Sequence, residues 1–377
     1  MVVIQHFLKW LDTAKMQERA DAAAALARAF VQRELSFDDR LAAEAALTLL
    51  LDDRSAKVRL ALSETLSLSA RAPAHIIAAL AADQAEVAAP VLARSPLLSD
   101  AELIDRVALG CIKVQMLIAS RPRVSRSLSA SIAEVGSVEA CTVLARNEGA
   151  EIAPFSFRRM IERFGANGPL REALTHNAHL PADCRHLLVQ ATGTALSALP
   201  LVKALMGEER AGLIAKDACA RASVTLIESV ADEEHEALVE HLRLRGEVTS
   251  GFLVRIVAHG KIDFFRVALA AITGQDIERV TALLARGRHS ALAALFKRAG
   301  LSTITHAPIL TALDIWREVA RGNRMSGPQE VSWSMLQAVD AAHGADEAEQ
   351  LTRLLRQIHL EQLRRNARQQ ALELAAA

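Results

Sequence analysis

Apolar residues recur along this chain at steps of three and four, the stripe of an amphipathic helix, and strict alternation is nowhere sustained long enough to predict a sheet. Ile4, Phe7, Leu8 and Leu11 mark one face of a short helix, expected to cap the first repeat of the chain. A second helix is predicted from about Thr13 to Glu34, and Ser36-x-x-Asp39 resembles a capping box that opens a third, carrying Leu41, Ala45 and Leu49. Further on, Val58, Leu62 and Leu66 share a face, Val87 repeats the place of Val58, and Ser99-x-x-Glu102 is a capping box in front of Leu103 and Val107. Pro73, Pro96, Pro122, Pro154, Pro169 and Pro181 punctuate the pattern between helices, where they escape the ~3 kcal/mol that a mid-helix proline costs.

The pattern repeats. Leu66-x-x-Ser69, Leu92-x-x-Ser95, Ile118-x-x-Arg121, Leu144-x-x-Asn147 and Leu174-x-x-Asn177 set their fourth positions 26, 26, 26 and 30 residues apart. Such a period belongs to stacked helical hairpins, each unable to bury its own apolar face. Past Pro200 the period blurs, but helical segments stay clear: Ala211 to Val230, Asp232 to Leu244, Phe252 to Ala258, Phe264 to Ile272, Asp276 to Ala285, His289 to Ala299 and Pro308 to Ala320. Gly246, Gly260, Gly274, Gly287 and Gly300 fall between them and suit helix C-caps. The predicted fold is therefore all-α, an α-solenoid of HEAT-like helical hairpin repeats with terminal capping helices. Capping helices are expected over 1–50, repeats over 51–200 and a second half of changed consensus over 201–320. The polar stretch 321–330 reads as a linker before helices in 331–377.

Composition narrows the function. Aromatic residues are 3% of the chain and Tyr is absent, so Ala and Leu must do the packing. Lys and Arg number 44, as do Asp and Glu, and residues 1–200 hold 22 of each class, so neither half is a basic arm. A protein holding long nucleic acid needs a positive surface, so that partner is disfavoured. The four cysteines form no CxxC and no close pair, the usage of a reduced cytoplasmic protein. No window offers the roughly 18 apolar residues of a spanning helix, and the N-terminus lacks the basic region of a signal peptide.

Few constellations suggest chemistry. His235 and His241, six positions apart, miss the i, i+4 spacing of a zinc-binding helix, and their segment reads as a solvated acidic face. His176, His179, Cys184 and His186 offer four metal-ligand side chains within eleven residues, but at no standard spacing and across a repeat boundary, so no metal is expected. No acid occurs between Asp105 and Glu134, and Arg121, Arg123 and Arg126 there are expected to line one rim of the solenoid. Arg286 and Arg288 form a second basic cluster. In the last helix Leu351, Leu354, Leu355 and Ile358 accompany several arginines, which suits a cap, an acidic partner or a homodimer.

The runs Leu-Ala-Arg-Ser-Pro-Leu-Leu-Ser (92–99), Leu-Ala-Arg-Asn (144–147), Gly-Lys-Ile-Asp-Phe-Phe (260–265) and Leu-Asp-Ile-Trp-Arg (313–317) resemble the domain of unknown function 2336 family of alphaproteobacteria. The resemblance covers roughly residues 40 to 320. It implies helical repeats and a bacterial source, and it supplies no catalytic residues. The expected function is that of a non-enzymatic scaffold or signalling adaptor, without cofactor, binding a protein on its concave face. The alternatives are a nucleic-acid-acting protein similar to alkyl-purine glycosylases, or a phosphate-ligand sensor built on Arg121 to Arg126.

Overall fold

The computed structural model describes Trp10 and residues 13–32, 34–339 and 345–376. These contain twenty-two α-helices and two short 3₁₀ turns, with no strand among the described residues. The helix expected at Ile4, Phe7, Leu8 and Leu11 lies outside them. The chain divides into two compact units, Met1–Leu180 and Pro181–Ala377.

In the first unit α1 (Met16–Gln32) is followed by α2 (Phe37–Leu50), α3 (Ala56–Leu66), α4 (Ala74–Ala82), α5 (Ala85–Arg94), α6 (Asp100–Leu109) and α7 (Ile112–Ala119). Then come α8 (Arg126–Val135), α9 (Val138–Arg146), α10 (Pro154–Phe164) and α11 (Gly168–His176). Packing runs in two rows. Helix α1 packs on α3, α3 on α5, α5 on α7, α7 on α9 and α9 on α11, while α6 packs on α8 and α8 on α10. The stripe residues Val58, Leu62, Leu66, Val87 and Val107 are fully buried and Leu103 nearly so; each such side chain contributes ~1.5–3 kcal/mol. The capping box of Ser99 and Glu102 forms in both directions, and Ser36 accepts from the Asp39 N–H.

Two details depart from expectation. Helix α2 buries Ala46, Leu47 and Leu50 and leaves Leu41 and Leu49 exposed. Its sequence is apolar on more than one side, so periodicity alone could not choose the face. Pro90 does fall inside a helix, α5.

The recurring fourth position has a structural cause. Ser69, Ser95, Asn147 and Asn177 each accept the N–H two residues on (Arg71, Leu97, Gly149, His179), closing the turn after the helix. Three of the positions also tie adjacent helices of the row. Arg121 donates to the carbonyls of Leu92 and Ser95, Asn147 to those of Ala119 and Arg121, and Asn177 to that of Ala145. These acceptors lie at helix C-termini, where carbonyls lack intrahelical donors. Earlier in the row, ion pairs do the same work: Arg19 with Asp53 at 2.8 Å and Arg59 with Asp83 at 2.5 Å. In the second row Arg163 donates to the Ala133 and Gly136 carbonyls.

The second unit holds α12 (Ala182–Ser197), α13 (Pro200–Met206), α14 (Glu208–Ser229), α15 (His235–Leu244), α16 (Ser250–Ala258), α17 (Ile262–Thr273), α18 (Ile277–Arg286), α19 (His289–Arg298), α20 (His306–Ala320), α21 (Pro328–Gln337) and α22 (Ala345–Ala376). Phe264, Phe265 and Phe296 centre its core, and Leu351, Leu355 and Ile358 of α22 join it. Four of the five glycines between the helices have positive φ; Gly287 does not, at −66°. Gly260 (φ 74°) closes α16, with the Lys261 N–H on the Ile256 carbonyl, and the Trp316 ring lies over it. Trp316 donates its indole N–H to the Val257 carbonyl at 2.8 Å. Arg317 next to it donates to the carbonyls of Leu283, Leu284 and Gly287 at the end of α18. The motifs at 260–265 and 313–317 thus meet in space, as packing and helix-end ties.

A polar seam holds α22 against α14 and α16. Arg255, 3% exposed, contacts Glu361 at 2.9 Å and Asp217 at 3.4 Å; Gln357 donates to Asp217, and Gln362 meets His259. Leu351, Leu355 and Ile358 of α22 are buried inside its own unit, while Leu360, Leu363, Leu372 and Leu374 further along the helix stay exposed among its charged residues.

Candidate functional site

The loops that come after α7, α9 and α11 lie side by side along one edge of the first unit. Val124 and Ala150 form a parallel bridge there, with the Val124 N–H on the Gly149 carbonyl and the Glu151 N–H on the Val124 carbonyl. A groove of about 900 Å³ runs over this edge, and Arg123, Arg126, Asp100, Glu148, Glu151 and His179 line it.

Its charges are mixed. Arg123 is exposed, and Arg126 meets Glu151 at 3.3 Å with both side chains more than two-thirds exposed, a pair worth little to stability. Asp100, in the first turn of α6, accepts from the Ser125 and Ser127 hydroxyls. Two guanidinium groups and three carboxylates therefore line the groove together.

Arg121 does not belong to this rim. It is 8% exposed, and its two terminal nitrogens sit 2.6 Å from the Leu92 and Ser95 carbonyls. Burial lowers its pKa, opposed in part by Asp100. Three arginines two and three residues apart look alike in sequence, but position 121 falls in the turn register shared with Ser95 and Asn147. That register is the signal that separates it from Arg123 and Arg126.

In the second unit Arg286 and Arg288 are both exposed. Arg286 lies in the last turn of α18, where the helix dipole favours a cation; Arg288 is the N-cap of α19, where it does not. His289 next to them sits 2.7 Å from Asp314. Along α22, Arg353 pairs with Glu349 and Arg365 with Glu228, while Arg356 and Arg364 stand exposed beside a groove of about 390 Å³ that also carries Glu349 and Glu361.

The His and Cys set is dispersed. His176 is exposed and 2.8 Å from the Glu172 carbonyl of its own helix, and His179 lies on the loop edge. Cys184 and His186 are fully buried in α12. Among the described residues no group of three or more His, Cys, Asp or Glu could hold a metal ion. His235 is also buried, edge-on to Phe264, and not on a solvated face: Glu236 and Glu240 of that helix meet water, and His235, Leu238, Val239 and Leu242 turn inward.

His186 has an energetic consequence. Its Nε2 lies 3.1 Å from Glu247, and the His241 ring meets it edge-on at 5.4 Å. Burial pushes its pKa down to about 4; Glu247 pulls the other way and His241 adds to the fall. Unfolded, the imidazole takes its proton near pH 6.5. Between these values the unfolded chain binds more protons than the folded one, so stability falls as pH drops from ~6.5 towards 4. The expected loss at pH 5 is about 2 kcal/mol. Urea midpoints of the second unit at pH 7 and pH 5 should diverge in the wild type and much less in His186→Gln; equal divergence would show that another group carries the acid sensitivity.

No single helix among the described residues is long and apolar enough to cross a membrane. No curated protein and no solved structure matches the chain. The profile of a bacterial family of uncharacterised conserved proteins, DUF2336, matches residues 87–345. That span takes in the loop-edge groove, the repeated turn positions from Ser95 to Asn177 and both meeting motifs of the second unit, and the chain belongs to the DUF2336 family.

Proposed function

We propose that the chain is a helical-repeat scaffold of the HEAT-like solenoid kind, working in the bacterial cytoplasm without catalysis, and that it holds an extended segment of a protein partner along the loop edge of its first unit. The row-on-row packing of α1 to α11 and the ties repeated every 26 residues or so support the solenoid reading. The observation that carries the binding reading is the groove of about 900 Å³ lined by exposed groups of both signs. Its size lies at the upper end for a ligand site. Paired arginines and carboxylates suit a peptide that brings its own mixture of charges. A nucleic-acid backbone or a phosphate would meet Asp100, Glu148 and Glu151 as well as the arginines, and is disfavoured for that reason. Arg123 and Arg126 are the contacts in this reading, with Arg286 and Arg288 a second contact on the other unit.

The test is capture from source-cell lysate with nuclease present, using the wild type and Arg123→Glu/Arg126→Glu. Both side chains are exposed, so circular dichroism should be unchanged. One protein retained at near-equal amount by the wild type, and reduced at least tenfold by the double variant, is the expected result. Identical captures by both proteins, or material that nuclease removes, would sink the reading.

A further inference from the structure

We propose that the apolar hairpin formed by the end of α12, all of α13 and the start of α14 is a surface on which a second copy of this chain docks. The inference is independent of the partner-binding reading above. Leu196, Leu199, Leu201, Leu205, Leu213 and Ile214 are 55, 46, 70, 74, 65 and 46% exposed, all within nineteen residues of chain. Helix α13 has no buried residue at all. A seven-residue helix has little stability of its own in water, since helices below ~12–15 residues are marginal without tertiary packing. Helix α13 packs on α14 and α12, yet Leu201 and Leu205 are left in water by the protomer.

The patch amounts to on the order of 600 Å² of apolar surface, the top of the range for a monomer's largest patch and near the ~800 Å² that each side of a standard interface buries. Its rim points to the occupant. Lys203 pairs with Glu208 at 2.6 Å and Asp217 is held in the seam with Arg255 and Gln357, which leaves Glu209, Arg210 and Lys216 exposed to face a partner. A two-fold contact requires a surface complementary to itself, and an acid (Glu209) and a base (Lys216) placed on one helix either side of Gly212 and Leu213 can meet that requirement. A helix that lies on anionic lipid carries a Lys/Arg-rich polar face instead, and Glu208 and Glu209 would meet such headgroups with repulsion. This competitor must be tested, because α12 and α13, bent by 66°, together have the length and hydropathy of a broken span.

Gly212 supplies a further observation. A glycine inside a helix costs about 1 kcal/mol relative to alanine, yet nothing lies within 4 Å of where its Cβ would be. Among the described residues nothing requires the absence of a side chain there; a helix crossing at that point does. An antiparallel crossing of α14 on its copy between Gly212 and Leu213 sets Glu209 of one copy opposite Lys216 of the other.

Sedimentation velocity and light scattering on the full chain test this. The wild type should run at twice the 40.7 kDa of the chain, and Leu201→Glu/Leu205→Glu should run as a monomer, with a Kd raised ~100-fold or more and an unchanged far-ultraviolet spectrum. Leu213→Glu is the second variant, should the first disturb the hairpin. Glu209→Lys should weaken the dimer about tenfold, and Glu209→Lys/Lys216→Glu should restore it. A wild type that stays monomeric at 50 µM (roughly what a Kd above that value implies), a dimer indifferent to both leucine substitutions, or a mass that grows without limit would overturn the proposal. So would a monomer that sediments with phosphatidylglycerol vesicles and loses that binding in the leucine variants, which would assign the hairpin to a lipid surface.

Discussion

Arg121→Ala will destabilise the first unit by about 3–5 kcal/mol, because it removes two charge-assisted hydrogen bonds, each worth ~1.5–3 kcal/mol, and leaves their carbonyl partners without donors. Both bonds are 2.6 Å long, and the side chain is buried between α5 and α7. For a unit of this size the loss corresponds to a fall in Tm of about 10 °C. Arg121→Lys should recover less than half, since an ammonium lacks the planar fork that reaches the Leu92 and Ser95 carbonyls together. Arg123→Ala is the matched control: exposed and two residues away, it should change stability by no more than about 0.5 kcal/mol. Thermal and urea unfolding monitored by circular dichroism will read all three. Equal effects of Arg121→Ala and Arg123→Ala would mean that the tie contributes nothing.

Gly260→Ala will cost the second unit about 3 kcal/mol. Two penalties combine: a left-handed conformation, ~1–2 kcal/mol for an L-residue, and a steric one. At φ 74°, a Cβ on residue 260 would stand 2.9 Å from Cζ2 of Trp316. The ring must move, and its hydrogen bond to Val257, worth ~1 kcal/mol, goes with it. Gly274→Ala separates the two penalties, since Gly274 also has positive φ (62°) but nothing within 4 Å of its Cβ position; it should cost only ~1–2 kcal/mol. In a Trp316→Leu background the cost of Gly260→Ala should fall to that of Gly274→Ala, a coupling of ~1 kcal/mol or more. Strict additivity would show that the contact with Trp316 is not the cause.

The helices are legible in the sequence because their apolar stripes are amphipathic. Val58, Leu62 and Leu66 are fully buried as their spacing predicts, and Ser99 caps α6 as the residue three positions on requires. Where a segment is apolar all round, the stripe loses meaning: α2 buries Leu47 and Leu50 in place of Leu41 and Leu49. The pair α12 and α13 defeats periodicity for the same reason, since Leu196 to Met206 has hydrophobicity without a preferred side. Position 121 is visible as a repeat position and as a basic residue, and these two readings conflict. An arginine in a serine or asparagine register is a backbone donor, which only the carbonyls of the neighbouring helix reveal. The charged seam of Arg255, Asp217 and Glu361 is beyond periodicity, for its members come from three separate helices.

The ties of the two units differ in reach along the chain. In the first, the side-chain ties between helices of a row among the described residues join residues 22 to 34 positions apart. During synthesis such a bond can close as soon as about one more hairpin has left the ribosome, so the row can settle progressively from its first helix. In the second, Arg255 waits 106 residues for Glu361, and Asp217 waits 140 for Gln357. Until α22 is made, a guanidinium destined for a buried place has Asp217 as its only acidic partner in that seam, and the apolar seats of Leu351, Leu355 and Ile358 stand open. The seam of α14, α16 and α22 therefore closes last, after shorter ties such as those of Arg317 have formed, and until then it leaves apolar and charged surface open to chaperones and to aggregation.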